Sequence, residues 1–572
     1  MTSNKNIKIV KWILSLLYLG VVGYVFSLQT VYHKSIKKQA VIQHCDSIPQ
    51  LAQRGKIFDT KNRPIVYNQS SASIRILPNQ IRSNCADTIA DILAAFNLKP
   101  RDEILNELNS RIRLFWFKKH IDYHIVNQLR KELHRHRVDN SVYVTDDLKR
   151  VYPFGPMLGS LIGFYGEEQG LAGIEYSFNT LLSGTPGWFI IQKDALGNKY
   201  YWPSYPSVKP IDGYDLVLTI DLDIQSIAYH SLAKFVDDFQ ALHGSVIIVD
   251  VDDGAILALA EYPDYDPQNY QNYPAQLWKI SSIADEFEPG SVYKLLICAT
   301  ALCSPVKQQL ISRTYDVSNG YLLISGKKIK DVHNNGIISF DEIFIKSSNI
   351  GVSLLSQMLS PTDFYFMERR FGFGVKTGIE LAGEAKGFID RPEKLTPLRF
   401  ANNCFGQGVR VTLLQLSMAY LAIANDGLLL KPYIIKQIRN KNKVIYQGKR
   451  QVVRRVLPED VAQQIKEILA EVVIRGTGRA AQIPEYLVCG KTGTAQKIEP
   501  DGKYSSKRSI MTFIGFFPKQ KPKYLIAVLI DEPKISRFAG EVTCPLFQII
   551  AQKIILLNNK EFHLNQLPIV MR

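Results

Sequence analysis

Glu288 to Lys294 reads EPGSVYK, and the apolar helical pattern LLICATAL follows it. A Pro-Gly turn thus delivers a serine and, three residues on, a lysine to the start of a helix. Positions i and i+3 of a helix share a face, which would bring the Lys294 amine toward the Ser291 hydroxyl. Taken alone, S-x-x-K recurs by chance in long chains, and an ordinary helix start explains it equally well. The neighbourhood decides between the two. IFIKSSNIGVSLL carries Ser347-Ser348-Asn349, and VCGKTGTAQK carries Lys491-Thr492-Gly493-Thr494. Each is weak by itself; S-x-x-K, S-x-N and K-T-G in this order within one unit are strong together.

Chemistry explains these residue types. A serine hydroxyl is a poor nucleophile until a base takes its proton. Lysine can serve when burial and a second cation, here Lys491, lower its pKa. Ser347 would relay the proton between Lys294 and a leaving amine, and the Asn349 amide would hold the substrate backbone. Lys491, Thr492 and Thr494 would line a strand edge where an extended peptide pairs by its main chain and its carboxylate meets a cation and hydroxyls. Gly493 would leave room for close approach. The backbone N–H groups of Ser291 and Thr494 would form the oxyanion hole.

Around these motifs the chain reads as one α+β unit. GYDLVLTID is a strand, and DIQSIAYHSLAKF has helical apolar spacing. GSVIIVDVDDGAILALAEYP predicts a hairpin about Asp-Asp-Gly. RSIMTFIGFFP and KYLIAVLIDEP are two further strands, and CPLFQIIAQKIILL a closing helix. VTLLQLSMAYLAIANDG is helical, with Thr412 and Gln415 spaced as a capping box. Strands at both ends around a helical middle predict a sheet built from sequence-distant strands. From Ala40 to Ile211 the pattern is mixed: short strands, a charged helical stretch near Pro100 to Arg137, and Gly159, Gly163, Gly166, Gly170 and Gly173 clustered in turns.

The chain has 572 residues, which predicts two to four structural units. Trp12 to Tyr32 carries no charged side chain and is long enough to cross a bilayer. It lacks the short apolar region and small-residue cleavage site of a signal peptide. It reads as a single-pass anchor. Lys5, Lys8 and Lys11 precede it and Lys34, Lys37 and Lys38 follow, so charge hardly sets its orientation. The net charge is +16. The basic residues are scattered, without a run or an aromatic stripe, which favours a surface facing anionic lipid or wall polymer over nucleic acid. Seven cysteines without any C-x-x-C exclude a metal knuckle and argue against a disulfide framework.

With these motifs the sequence resembles a class B penicillin-binding protein over nearly its whole length. RGKIFDTKNRPIVYN from Arg54 is similar to the family's R-G-x-I-x-D segment, and GLAGIEYSFNTLLSGTPG to its G-x-x-G-I-E segment. DLVLTIDLDIQ, YPDYDPQNY, DVHNNGIISFDEIFIKSSNIG and FGQGVRVTLLQLSMAY complete the likeness. The resemblance implies residues 1–11 as a cytoplasmic tail, 12–32 as a transmembrane helix, 33–211 as an elongated membrane-proximal domain of dimerisation or pedestal type, and 212–572 as a transpeptidase domain. That last domain would have the serine β-lactamase-like fold, a sheet flanked by helices. The implied activity is peptidoglycan D,D-transpeptidation: Ser291 attacks the D-Ala-D-Ala carbonyl of a stem peptide, and an amine resolves the acyl-enzyme. β-Lactams would acylate the same serine. No metal and no organic cofactor is implied.

The implied partners are lipid-linked nascent glycan, a SEDS-type (FtsW-like) glycosyltransferase and other divisome membrane proteins, at the cytoplasmic (inner) membrane with the catalytic domain in the periplasm. KIEPDGKY, VLIDEP and the short tail look more like the division-type (FtsI-like) branch than the elongation type. Two departures stand out. Asn62 replaces the usual glycine after R-G-x-I-x-D, and RFAG at Arg537 to Gly540 replaces a more glycine-rich pattern. A serine β-lactamase, a β-lactam sensor and a catalytically lapsed scaffold are the rival readings. The first two fit the chain's length and single anchor poorly, and intact motifs argue against the third.

Overall fold

A computed structural model describes residues 3–37, 45–82, 85–111, 113–138, 140–193, 199–201, 205–499 and 501–566. Met1 and Thr2 of the expected tail, and Lys38 after the expected span, lie outside them. Two compact units emerge: residues 1–54 with 183–213, and residues 55–182 with 214–572.

The first unit contains helix α1 (Ser3–Thr30), apolar and long enough to cross a membrane, with none of its apolar window buried. The same unit has a small antiparallel sheet in which Gly187–Lys193 pairs with Cys45–Gln50, Lys199–Tyr201 and Ser207–Val208.

In the second unit, a seven-stranded sheet joins the chain's two halves. It contains β1 (Ile57–Phe58), β2 (Pro64–Ile76), β3 (Phe115–Asp122), β4 (Val142–Val151) and β5 (Asp215–Leu218). β5 runs parallel to β1, and strands of residues 435–440 and 443–447 complete the sheet beyond it. The stretch 100–137 is less helical than its charge suggests. β3 separates helices Arg101–Ser110 and Tyr123–Arg135. FWFKKHID buries Phe117 and Ile121 and exposes Trp116 and Lys118, an alternation that satisfies a sheet face better than a helix. The clustered glycines lie in turns around the short helices Gly159–Ile162 and Gly173–Ser177.

The C-terminal half of this unit begins with α2 (Leu222–Asp238), whose N-cap Asp221 accepts from the Asp223 and Ile224 N–H groups. Then come β6 (His243–Asp250) and β7 (Ile256–Tyr262), the expected hairpin. Helices α3 (Lys294–Cys303), α4 (Asn349–Ser356), α5 (Leu413–Ala424) and α6 (Glu459–Ile474) form the middle. Strands β8 (Cys489–Ile498), β9 (Tyr504–Phe517) and β10 (Tyr524–Asp531), with helix α7 (Ala539–Gln566), close the chain. The five antiparallel strands are ordered β7-β6-β10-β9-β8, so segments more than 250 residues apart lie side by side and β8 is an edge.

Strand alternation builds a core on each face. Val246, Ile248, Phe513 and Val528 pack with Leu232 of α2 and Phe547 of α7. Ile247, Val249, Ile514 and Ala527 face α5, whose twelve residues are all buried and whose capping box is Thr412 with Gln415. Helix α7 is also long and apolar enough to span a bilayer, but Val542, Leu546, Phe547, Ile550 and Ile554 are buried in this core. All seven cysteines are free, and four of them are buried.

Candidate active site

The serine comes first, delivered by a backbone that excludes most residues. Gly290 has φ 60°, a conformation L side chains rarely adopt, and a Cβ there would stand 2.9 Å from the Thr494 carbonyl oxygen. The Gly290 N–H donates to the Gly406 carbonyl at 3.1 Å. Ser291 follows, in the 3₁₀ turn Gly290–Tyr293 that runs into α3. Its N–H lies among the first donors of that turn, which lack intrahelical acceptors.

Lys294 is fully buried, 0% exposed. Among the described residues its amine bonds Ser347 alone, at 2.6 Å to the carbonyl and 3.2 Å to Oγ, and does not bond Ser291. A buried amine seeks fixed acceptors for its protons, and the Ser347 carbonyl supplies one. Ser347 itself is held at φ 58°, a left-handed conformation costing a non-glycine residue about 1 kcal/mol. Its anchor is the segment that follows. Asp331 accepts from Ser348 Oγ and the Asn349 N–H at 2.6 Å each and from the Ile350 N–H at 3.0 Å, pinning the start of α4. The Asn349 amide, expected to face substrate, donates to the Lys330 carbonyl at 3.2 Å.

Lys491 reaches the same hydroxyl from strand β8. It is 2% exposed and donates to Ser347 Oγ at 3.0 Å and to the Thr492 carbonyl at 3.2 Å. At Gly493 a Cβ would come within 2.4 Å of Thr512 Oγ1 and 2.9 Å of the Pro289 carbonyl. Its missing side chain therefore lets the edge strand close on the turn that carries Ser291, a packing role beyond the expected access for substrate. Ser291, Ser347, Asn349, Thr492 and Thr494 line one groove of about 480 Å³, with Lys294 and Lys491 beneath it. Lys294 and Lys491, 197 residues apart in the chain, thus meet at the Ser347 hydroxyl.

The electrostatics follow from burial. Desolvation, and then the charge of Lys491, hold the Lys294 amine well below the ordinary lysine range, against a smaller opposing pull from Asp331. Burial pushes Lys491 down to about 7. Hydrogen-bond counting adds a constraint. Ser347 Oγ accepts from both amines, which fills both of its lone pairs and leaves its one proton free. A neutral Lys294 has two protons, both engaged with Ser347, so its lone pair remains unused.

Two residues of this arrangement had no role assigned from the sequence. Asp331 opens the stretch DVHNNGIISFDEIFIKSSNIG, which the resemblance picked out without giving this carboxylate a role. Thr477 Oγ1 lies 2.7 Å from Thr492 Oγ1, and RGTG carries no signal that would single it out.

The chain matches the model of the penicillin-binding protein transpeptidase domain over residues 244–552, and that of the penicillin-binding protein dimerisation domain over residues 49–218. Among curated relatives, the probable peptidoglycan D,D-transpeptidase PenA of Neisseria meningitidis is 30% identical, covering 95% of this chain and 90% of its own. The peptidoglycan D,D-transpeptidase FtsI of Buchnera aphidicola is also 30% identical, over 98% of this chain and 96% of its own. Among solved structures, penicillin-binding protein 3 of Mycobacterium tuberculosis, complexed with aztreonam, superposes with a TM-score of 0.68 at 26% identity, covering 90% of this chain and 97% of that one. A fold of this kind, a domain match spanning more than half the sequence, and relatives that align nearly end to end agree: the chain belongs to the penicillin-binding protein transpeptidase family.

Proposed function

We propose that this chain is a peptidoglycan D,D-transpeptidase of septal wall synthesis, with Ser291 as its nucleophile. Lys294, neutral because it is buried beside another cation, takes the Ser291 proton with its free lone pair. Ser291 Oγ then bonds the carbonyl carbon of the penultimate D-Ala. The developing oxyanion sits between the N–H groups of Ser291 and Thr494, and the amide C–N bond breaks. Ser347 passes its free proton to the departing D-Ala amine and is reprotonated by Lys294. An acceptor amine enters by the reverse path, forms the cross-link and returns the proton to Ser291. Thr492, Thr494 and a charged Lys491 bind the donor's terminal carboxylate, Asn349 helps seat its backbone, and Gly493 keeps the wall of the groove flush. A β-lactam follows the first half of this path and stays as the acyl-enzyme.

One observation carries the reading: a hydroxyl that accepts from two buried lysines, in the groove that holds Ser291. The FtsI name of relatives aligned nearly end to end supports the division role over elongation. With α1 as the anchor, the catalytic unit works in the periplasm on stem peptides of nascent lipid-linked glycan. The two matched domains are a transpeptidase and a dimerisation domain, and an FtsW-like SEDS glycosyltransferase and other divisome proteins are the proposed partners. Labelling with a fluorescent penicillin tests the centre of this account. The wild type forms a long-lived adduct and Ser291→Ala forms none; rapid drug turnover would point to a β-lactamase, and an unlabelled wild type to a scaffold.

A further inference from the structure

The hydroxyl of Thr492 does not stand alone at the groove. Thr477 Oγ1 lies 2.7 Å from it, both residues line the cavity, and Thr477 is the more exposed of the two. Thr477 follows the end of α6, where its flanking backbone is fixed. The N–H groups of Gly476 and Gly478 both donate to the Val472 carbonyl, at 3.1 and 3.0 Å. A threonine closing a helix commonly turns its hydroxyl back to its own backbone. This one reaches across fifteen residues to strand β8.

Proton counting gives the contact a purpose. Each threonine hydroxyl has one proton to donate. In the pair, one proton is spent on the partner and one is left over. A carboxylate accepts only, so it can use the Thr492 hydroxyl only when the Thr492 proton faces the groove. That requires Thr477 to be the donor and Thr492 Oγ1 the acceptor. Without Thr477, the Thr492 proton is free to rotate toward other acceptors.

We propose that Thr477 is a positioning residue for carboxylate recognition: its hydroxyl donates to Thr492 Oγ1 and so aims the Thr492 proton at the terminal carboxylate of the acyl donor. The assignment rests on the transpeptidase reading above and adds a residue to it. It concerns an anion at one position of the groove, so it should show only with substrates that carry the charge.

The test compares acylation of the full chain by benzylpenicillin, which has a free carboxylate, with acylation by its methyl ester, which does not. Thr477→Val should lower the second-order rate with the free acid roughly five- to tenfold, the scale of one ordinary hydrogen bond, because the Thr492 hydroxyl itself remains, and leave the ester rate within twofold. Thr477→Ser, which keeps the hydroxyl, should recover the acid rate. Thr477→Val on top of Thr492→Val should cost nothing further, because the two hydroxyls act as one donor. Equal losses for acid and ester, no loss, or additive losses in the double variant would overturn the assignment. A wild type that takes no penicillin at Ser291 would instead overturn the enzymatic reading beneath it.

Discussion

The second unit holds two clusters of cations that use the same side chains to opposite ends. Near the junction of its halves, Arg63 meets Asp59 at 2.7 Å and Asp223 at 2.8 Å, while Lys61 meets Asp223 at 3.0 Å and Asp221 at 3.2 Å. The Asp223 hydrogen bond holds Arg63 above its usual range, and Arg63 in turn holds Asp223 below the usual carboxylate range. In the groove, Lys294 and Lys491 meet a serine hydroxyl and backbone carbonyls instead of carboxylates, and both titrate low. Opposite charge fixes a cation in its charged form; burial beside a like charge releases its proton. The first cluster is therefore built to hold and the second to exchange protons.

The largest effect should come from making the second cluster behave like the first. Lys294→Arg places a cation that stays charged where a base is needed. Acylation by penicillin should fall roughly a thousandfold, as it should for Lys294→Ala. Circular dichroism and thermal melts should remain close to wild type for at least the alanine variant; normal labelling of that variant would remove Lys294 as the base. The wild-type pH profile carries the same information. The rate should rise as pH climbs through the lowered pKa of Lys294, because the neutral amine is the base. It should fall again above about pH 7, where Lys491 loses the charge that binds a carboxylate. A rate that does not fall on the alkaline side of about pH 7 would contradict the Lys491 assignment, and one that does not fall toward acid would contradict Lys294 as the base.

The first cluster offers a smaller effect of a different kind. Arg63→Ala removes the charged partner of Asp59, whose side chain is fully buried. Breaking a buried pair typically costs 3–5 kcal/mol, and breaking an exposed one under about 1 kcal/mol. Arg63 is itself 39% exposed, and Asp59 retains the backbone N–H groups of Lys61 and Arg63 at 2.9 and 2.7 Å. An intermediate loss of about 2 kcal/mol follows, read as a lower urea midpoint. Penicillin acylation of the folded fraction should be unchanged. A lowered acylation rate in that fraction would mean that the two clusters are coupled.

The sequence showed the residues of the active centre because chemistry demands particular side chains in a particular order, and S-x-x-K, S-x-N and K-T-G survive as local strings. Local spacing also revealed the β6–β7 hairpin, the α5 capping box and the closing helix. What escaped was contact across distance. Nothing local announces that the Asp331 carboxylate holds the start of α4, or that Lys294 turns to Ser347 instead of Ser291. Gly493 could be read as a gap, but only the approach of the Pro289 carbonyl shows what fills it. The strand at Phe115–Asp122 was hidden by its lysines, which satisfy a solvent-facing edge as readily as a charged helix. The seven-stranded sheet was hidden by topology, since Ile57 and Leu216 become neighbours only through folding.

The smallest effect sits beside Arg63 and tests a departure from the family pattern. Asn62 occupies a left-handed conformation at φ 63°, at the position where the resemblance implied glycine. Its side-chain oxygen accepts from Arg439 Nη2 at 2.8 Å, tying the turn to the strand Ile435–Asn440. Three terms compete. Glycine would relieve the left-handed strain, under about 1 kcal/mol for asparagine. It would add roughly 0.5–1 kcal/mol of unfolded-state entropy and lose an exposed hydrogen bond worth about 0.5 kcal/mol. These nearly cancel, so Asn62→Gly should destabilise by less than about 1 kcal/mol. Asn62→Ala keeps the strain without the bond and should cost more, about 1–2 kcal/mol. If the alanine variant were as stable as the glycine one in urea, neither the conformation nor the Arg439 contact would explain why asparagine serves here.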